Sequence, residues 1–204
     1  MREYVHVSFD IVDQFEPRIP KTCAIGEDQT IKRICVSDEI LYALNALAES
    51  GKTLAVMQRL GLPLTMHAYY LESDHVMAPD VVQRYVPDAD INHESWILDS
   101  PIHVHRIDYE IMNPEFYKLL DDPDPFSHLI LKNAQLQRVP ECDNVELFMR
   151  HFHVKEQEQL GTLVRKYGYS MVVCNLSEEL LAKKERMEKE RKRRKNHESI
   201  CSCI

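Results

Sequence analysis

The sequence predicts an α+β fold: a single domain with a small mixed or antiparallel sheet and peripheral helices, then a charged C-terminal helix. Three observations predict it. Short alternating or apolar runs, such as Tyr4-Val5-His6-Val7-Ser8-Phe9, read as strands. Longer stretches with apolar residues every three or four positions, such as 155–167, read as amphipathic helices. From Ser177 onward the only large apolar residues before residue 198 are Leu180, Leu181 and Met187, so that helix should project into solvent beyond Leu181. The 204 residues suffice for one domain over 1–176 and a helical tail over 177–204.

Each element has its own local reason. In the first strand, alternation puts Tyr4, His6 and Ser8 on one face and Val5, Val7 and Phe9 on the other. Pro17 and Pro20 hold the next loop extended. Ile34-Cys35-Val36 reads as a buried strand that runs into a helix through 40–48, with Ser37 as its cap and Gly51 as its stop. A short helix over 53–61 ends at Gly61, and 64–71 reads as a strand. Segment 81–86 has no decisive pattern, whereas 94–98 and 103–107 read as strands.

Asn113-Pro114 and Asp124-Pro125 join a capping side chain to proline at a first helical position, which predicts helices over 114–121 and 125–134. Asn144 should cap a helix that continues through Phe152. Helix 155–167 should stop at Gly168, and Tyr169-Ser170-Met171-Val172-Val173-Cys174 reads as a returning strand.

Charge divides the chain. From Lys183 to Lys195 there are nine basic and three acidic residues, a local +6, which leaves −14 on the rest of a chain whose net charge is −8. So acidic a body argues against nonspecific nucleic-acid binding by its main surface, while the basic segment suits an acidic partner or anionic surface. The N-terminus has no apolar run of signal-peptide length, and no segment approaches the roughly 20 apolar residues of a membrane span. Six scattered cysteines, with Cys35 and Cys174 inside apolar runs, point to a reducing, cytoplasmic setting without a disulfide framework.

The motifs exclude several chemistries. His103 with His105, and His151 with His153, each place two imidazoles two residues apart, within reach of Cys142 or Cys174 in principle. No Cys-x-x-Cys or His-Glu-x-x-His spacing accompanies them, so no metal is expected. With five glycines in all and no Gly-x-Ser-x-Gly, glycine-rich phosphate loops are absent. A nucleotide would instead be held by arginines, hydroxyls and aromatic rings. The candidates are His6, Ser8, Arg18, Arg33, Ser37, Glu94 and Trp96. Cys201-Ser202-Cys203-Ile204 has the outline of a prenylation signal behind a polybasic run, although Ser202-Cys203 is not an aliphatic pair.

The order of these residues resembles the ADP-ribosyltransferase superfamily. The likeness lies in His6 on strand one, a strand ending in Val36-Ser37 that feeds a helix, Glu94 entering a later strand, and the passage Arg165-Lys166-Tyr167-Gly168-Tyr169-Ser170. The phrases Phe15-Glu16-Pro17-Arg18-Ile19-Pro20, Lys32-Arg33-Ile34-Cys35-Val36-Ser37 and Glu94-Ser95-Trp96 are also similar to small uncharacterised proteins of bacteria and their phages. The resemblance implies NAD as cofactor, with His6 binding its ribose and Ser37 shaping the nicotinamide pocket. It implies that Glu94 steadies an oxocarbenium-like transition state and orients an acceptor, which would be water or a protein. Arg18 or Arg33 would then hold the pyrophosphate, and Trp96 or Tyr4 would stack on a ring. The alternative is a non-catalytic interaction protein that docks through its basic helix.

Overall fold

The computed structural model describes residues 2–20, 26–86, 89–120, 123, 126 and 128–201, apart from the side chains of Lys155 and 194–201. Among them the chain forms β1 (Glu3–Ser8), β2 (Ile34–Val36), α1 (Ile40–Ala46), α2 (Ser50–Leu60), β3 (Thr65–Glu72), β4 (Val76–Met77) and α3 (Pro79–Val82). Then follow β5 (Ser95–Ile97), β6 (His103–Lys118), β7 (Leu129–Val139), α4 (Asn144–Met149), α5 (Val154–Tyr167), α6 (Tyr169–Asn175) and α7 (Ser177–Cys201). Two antiparallel sheets result, one of four strands in the order β1-β3-β6-β7 and one of three in the order β2-β5-β4. The α+β class and the charged final helix are therefore as the sequence predicts. No described helix is long and apolar enough to cross a membrane.

Alternation on β1 decides how the layers stack. Val5, Val7 and Phe9 join Met66 and Ala68 of β3, and with Leu44, Leu54, Met57, Leu160, Val164 and Val173 of the helices they form the main core. Each large aliphatic side chain buried there stabilises the fold by about 1.5–3 kcal/mol. The opposite face of the sheet, at Tyr69 and Leu71, packs on Ile34, Val36 and Ile97 of the smaller sheet. That puts Tyr4 and His6 between the two sheets rather than in solvent. Backbone bonds from Val5 to Ser37, 2.8 and 2.9 Å long, tie β1 to the end of β2.

Several sequence expectations are corrected. Neither expected helix forms among the described residues: 114–118 lie in β6 and 129–134 in β7, while residues 121, 124, 125 and 127, with the Asp124-Pro125 start, lie outside the described residues. Asn113 takes a positive φ of 50° and a register shift falls between Met112 and Glu115. Pro114 thus sits in a bulge, where its missing N–H costs no ladder bond. The apolar run 169–174 is helix α6, wedged among α2, α5 and α7, since a short buried apolar run suits either state.

Ser37 does not cap α1: its hydroxyl donates to the Asn92 carbonyl at 3.0 Å, and α1 starts at Ile40 without a side-chain cap. Gly51 lies inside α2 rather than ending α1. Asp143, not Asn144, caps α4 by accepting from the backbone N–H groups of Val145 and Glu146. Asn144 is buried instead, and its amide donates to the carbonyls of Phe9 and Thr65, both at 3.0 Å. The final helix does not leave the body at Leu181. Leu180 is wholly buried, Met187 packs on the core, and the Lys184 ammonium donates to the Leu60 carbonyl. Residues 202–204 of the suggested prenylation signal lie outside the described residues.

Candidate functional site

A cavity of about 530 Å³ opens where β1, β2, the α1–α2 junction and the end of the β6–β7 hairpin meet. Its volume falls in the roughly 300–1,000 Å³ range of small-molecule sites. Of the candidate residues, His6, Arg18, Arg33, Ser37 and Glu94 line it. They reach it from a strand, a proline-stiffened loop, the two ends of β2 and the approach to β5. Ser8 and Trp96 are not among its lining residues.

His6 is fixed by its neighbours. Its Nδ1 lies 2.9 Å from the Cys35 carbonyl, which can only accept, so Nδ1 carries the hydrogen and Nε2 keeps its lone pair. Phe15 packs edge-on to the ring with centroids 5.3 Å apart. Burial pulls the imidazole below the usual histidine range and the Arg18 charge pulls the same way, against the bond to Cys35. His6 is therefore a neutral acceptor at neutral pH.

Glu94 is buried, and its carboxylate accepts from the Trp96 indole N–H at 2.7 Å. The Cys35 thiol lies against the same carboxylate. Burial and the Glu94 charge push that thiol well above the usual cysteine range, so it remains a protonated donor. Trp96 is completely buried beneath Arg33, whose guanidinium carbon stands 4.1 Å from the indole centroid. It thus lies behind the cavity and orients Glu94, with no open face for a bound ring.

Arg33 is also taken up internally. It pairs with Glu27 and donates to the Ile31 carbonyl at 2.7 Å, its side chain wholly buried. Arg18 differs. Backbone bonds of 3.1 and 3.0 Å to Arg33 pin its main chain, while its side chain is exposed at the cavity edge. Ser8 accepts from the Asp10 N–H at 3.1 Å.

Sequence reasoning passed over Cys35, Glu27, Lys52, Asn92 and His128, which also line the cavity. Cys35 alone left a trace, as a polar-capable side chain between two strand residues that point the other way. His128 left none, because the hairpin that delivers it reads locally as helix. Positive φ values gather here: Glu49 (59°) and His128 (54°) line the cavity, and His93 (48°) sits between the lining residues Asn92 and Glu94. Strained backbone persists where surrounding structure holds it, commonly at working sites.

A second polar cluster lies on β3 and β6. Asp108 accepts from Arg106 Nε and Nη2 at 2.7 and 2.6 Å, from the Cys142 N–H at 2.8 Å and from His67 Nδ1 at 3.0 Å. Those bonds hold its carboxyl well below the usual range despite burial. Ligand-capable atoms of His67, Asp108 and Cys142 lie within 4.8 Å of one another. A metal ion there would have to share Asp108 with the Arg106 cation, so the donor set fits a structural ion network better than a metal centre. Cys174, the other cysteine considered beside the paired histidines, faces Thr53, with Sγ and Oγ1 3.0 Å apart.

Compared with known protein families, with curated proteins and with solved structures, the chain matches none.

Proposed function

We propose that the cavity binds NAD or ADP-ribose and that Glu94 serves transfer of ADP-ribose or hydrolysis of NAD. The observation that carries this reading is that His6, Ser37 and Glu94, far apart in sequence, line one sugar-sized cavity together with Arg18. A neutral imidazole with a free Nε2 is suited to accept from a ribose hydroxyl. In the reaction the bond from ribose C1 to the nicotinamide nitrogen breaks, and its electron pair leaves with nicotinamide. Positive charge builds on the sugar, where a carboxylate in a dry site stabilises it. The oxygen of water, or an acceptor nucleophile, then bonds to C1 and releases its proton. Trp96 and Cys35 hold Glu94 for that task.

Thermal unfolding with added ligand tests the reading. NAD or ADP-ribose at about 100 times Kd should stabilise the fold by about 2.7 kcal/mol through mass action. Glu94→Gln should keep binding and lose turnover by about a hundredfold or more. Turnover unchanged in that variant would remove Glu94 from the mechanism.

One observation favours a second, non-catalytic reading. On α7 the side chains of Arg186, Lys189, Arg191, Lys192 and Arg193 are exposed, on a chain that is otherwise acidic. This segment, basic on balance although Glu185, Glu188 and Glu190 are exposed within it, suits an acidic partner or an anionic surface. Retention on a heparin matrix that weakens as salt rises is the expected behaviour.

A further inference from the structure

We propose that Glu72 of β3 and His103 and His105 of β6 bind a divalent transition metal of the zinc type, with Glu3 of β1 orienting His105. None of the four lines the cavity, so the proposal is independent of the nucleotide reading. Along the sequence the two imidazoles stand without any spacing that announces a metal; sheet register supplies the carboxylates. Glu3 pairs with Glu72 and Glu72 with His103, which sets the three in one row across β1, β3 and β6. His105 lies two residues along from His103, on the same face of the sheet. This is the face that carries Val5 and Ala68 into the main core. At its far end His103 is exposed, and Glu72 and His105 are half-buried.

The geometry suits imidazole ligation. The His103 and His105 ring centres are 6.0 Å apart. Two imidazoles on one tetrahedral zinc stand roughly 5 Å apart, given Zn–N bonds of about 2 Å. Tyr70 stacks on the His105 ring with centroids 4.9 Å apart and planes 11° from parallel, which fixes the ring plane. Glu3 Oε1 lies 3.5 Å from His105 Nδ1. A carboxylate on that nitrogen leaves Nε2 to the metal, as around most zinc-bound histidines. Exposure lets His103 turn the remaining distance about its side-chain bonds. Neither flanking arginine competes for the carboxylates: Arg2 turns to Asp38 and the Tyr4 ring, and Arg106 to Asp108. That sets this cluster apart from His67, Asp108 and Cys142, where Arg106 already occupies the carboxylate. His151 and His153 share the spacing but lie in the turn between α4 and α5, where no strand aligns them.

Calorimetric titration of the full chain with Zn²⁺ tests this, with Co²⁺ absorption as a second readout. His103→Ala, His105→Ala and Glu72→Gln should each weaken zinc binding by at least about a hundredfold, and the orienting-group variant Glu3→Gln by about ten- to a hundredfold. His151→Ala should leave it unchanged. Bound Co²⁺ should show visible ligand-field bands without thiolate charge-transfer absorption, because no cysteine belongs to the site. Zinc should also raise the melting temperature of the wild type and not that of His105→Ala, by mass action. Zinc affinity unchanged in both strand histidine variants, a thiolate band with Co²⁺, or no zinc binding by the unaltered chain each overturns the site.

Discussion

At His6 one hydrogen bond decides two properties. Donating Nδ1–H to Cys35 fixes the tautomer, and the burial that comes with it favours the neutral ring. The folded pKa lies below the ordinary 6.5, so as pH falls the unfolded chain takes up its proton first. The stability that neutral His6 contributes is therefore fully present above about pH 6.5 and is lost as pH drops through that value toward the folded pKa. Chemical denaturation at stepped pH should show the wild type losing more stability below pH 6.5 than His6→Gln does. The difference between the two curves isolates this ring from the other histidines. A parallel pair of curves would mean that the His6 ring binds its proton equally well in the folded and unfolded chain.

Elements differ in how openly the sequence announces them. β1 was legible because Val5, Val7 and Phe9 alternate with polar neighbours. α5 was legible because Leu160 and Val164 share a stripe that Gly168 ends at a φ of 88°. The hairpin was hidden because Asn113-Pro114 obeys a local helix-start rule while partners in β3 and β7 impose extension. Cross-strand pairing from Asp108 with Val139 to Lys118 with Leu129 outweighs that local preference. The candidate site was half legible for the same reason. Side chains on β1, β2 and β5 could be placed by alternation, whereas those delivered by the hairpin could not. The hairpin reaches the site through Gly51 on α2, where an added Cβ would lie 1.9 Å from the Leu129 carbonyl oxygen. Gly51→Ala should cost roughly 1–3 kcal/mol in denaturant unfolding, as overpacking does. It should also weaken ligand binding, since His128, Leu129 and Ile130 form that wall. Unchanged stability would show that the hairpin yields freely there.

Across the whole molecule, stability and charge are separated along α7. Its first turns are welded to the body through Leu180 and through Lys184, which donates to the last carbonyls of α2. Beyond Met187 the described side chains are exposed. A chain ended after Met187 should keep its unfolding free energy within about 0.5 kcal/mol of the full chain. It should nevertheless elute early from heparin, because the basic cluster has been removed. Undiminished retention would place the anion-binding surface elsewhere.

The cavity wall at residues 128–130 has a consequence for biosynthesis. His6, Ser37 and Glu94 all leave the ribosome before the strand that encloses them on the far side. During synthesis the nascent chain thus holds these side chains before the cavity exists, and the cavity closes only after the hairpin has turned back onto α2. The cavity is in this sense a receipt for completed folding.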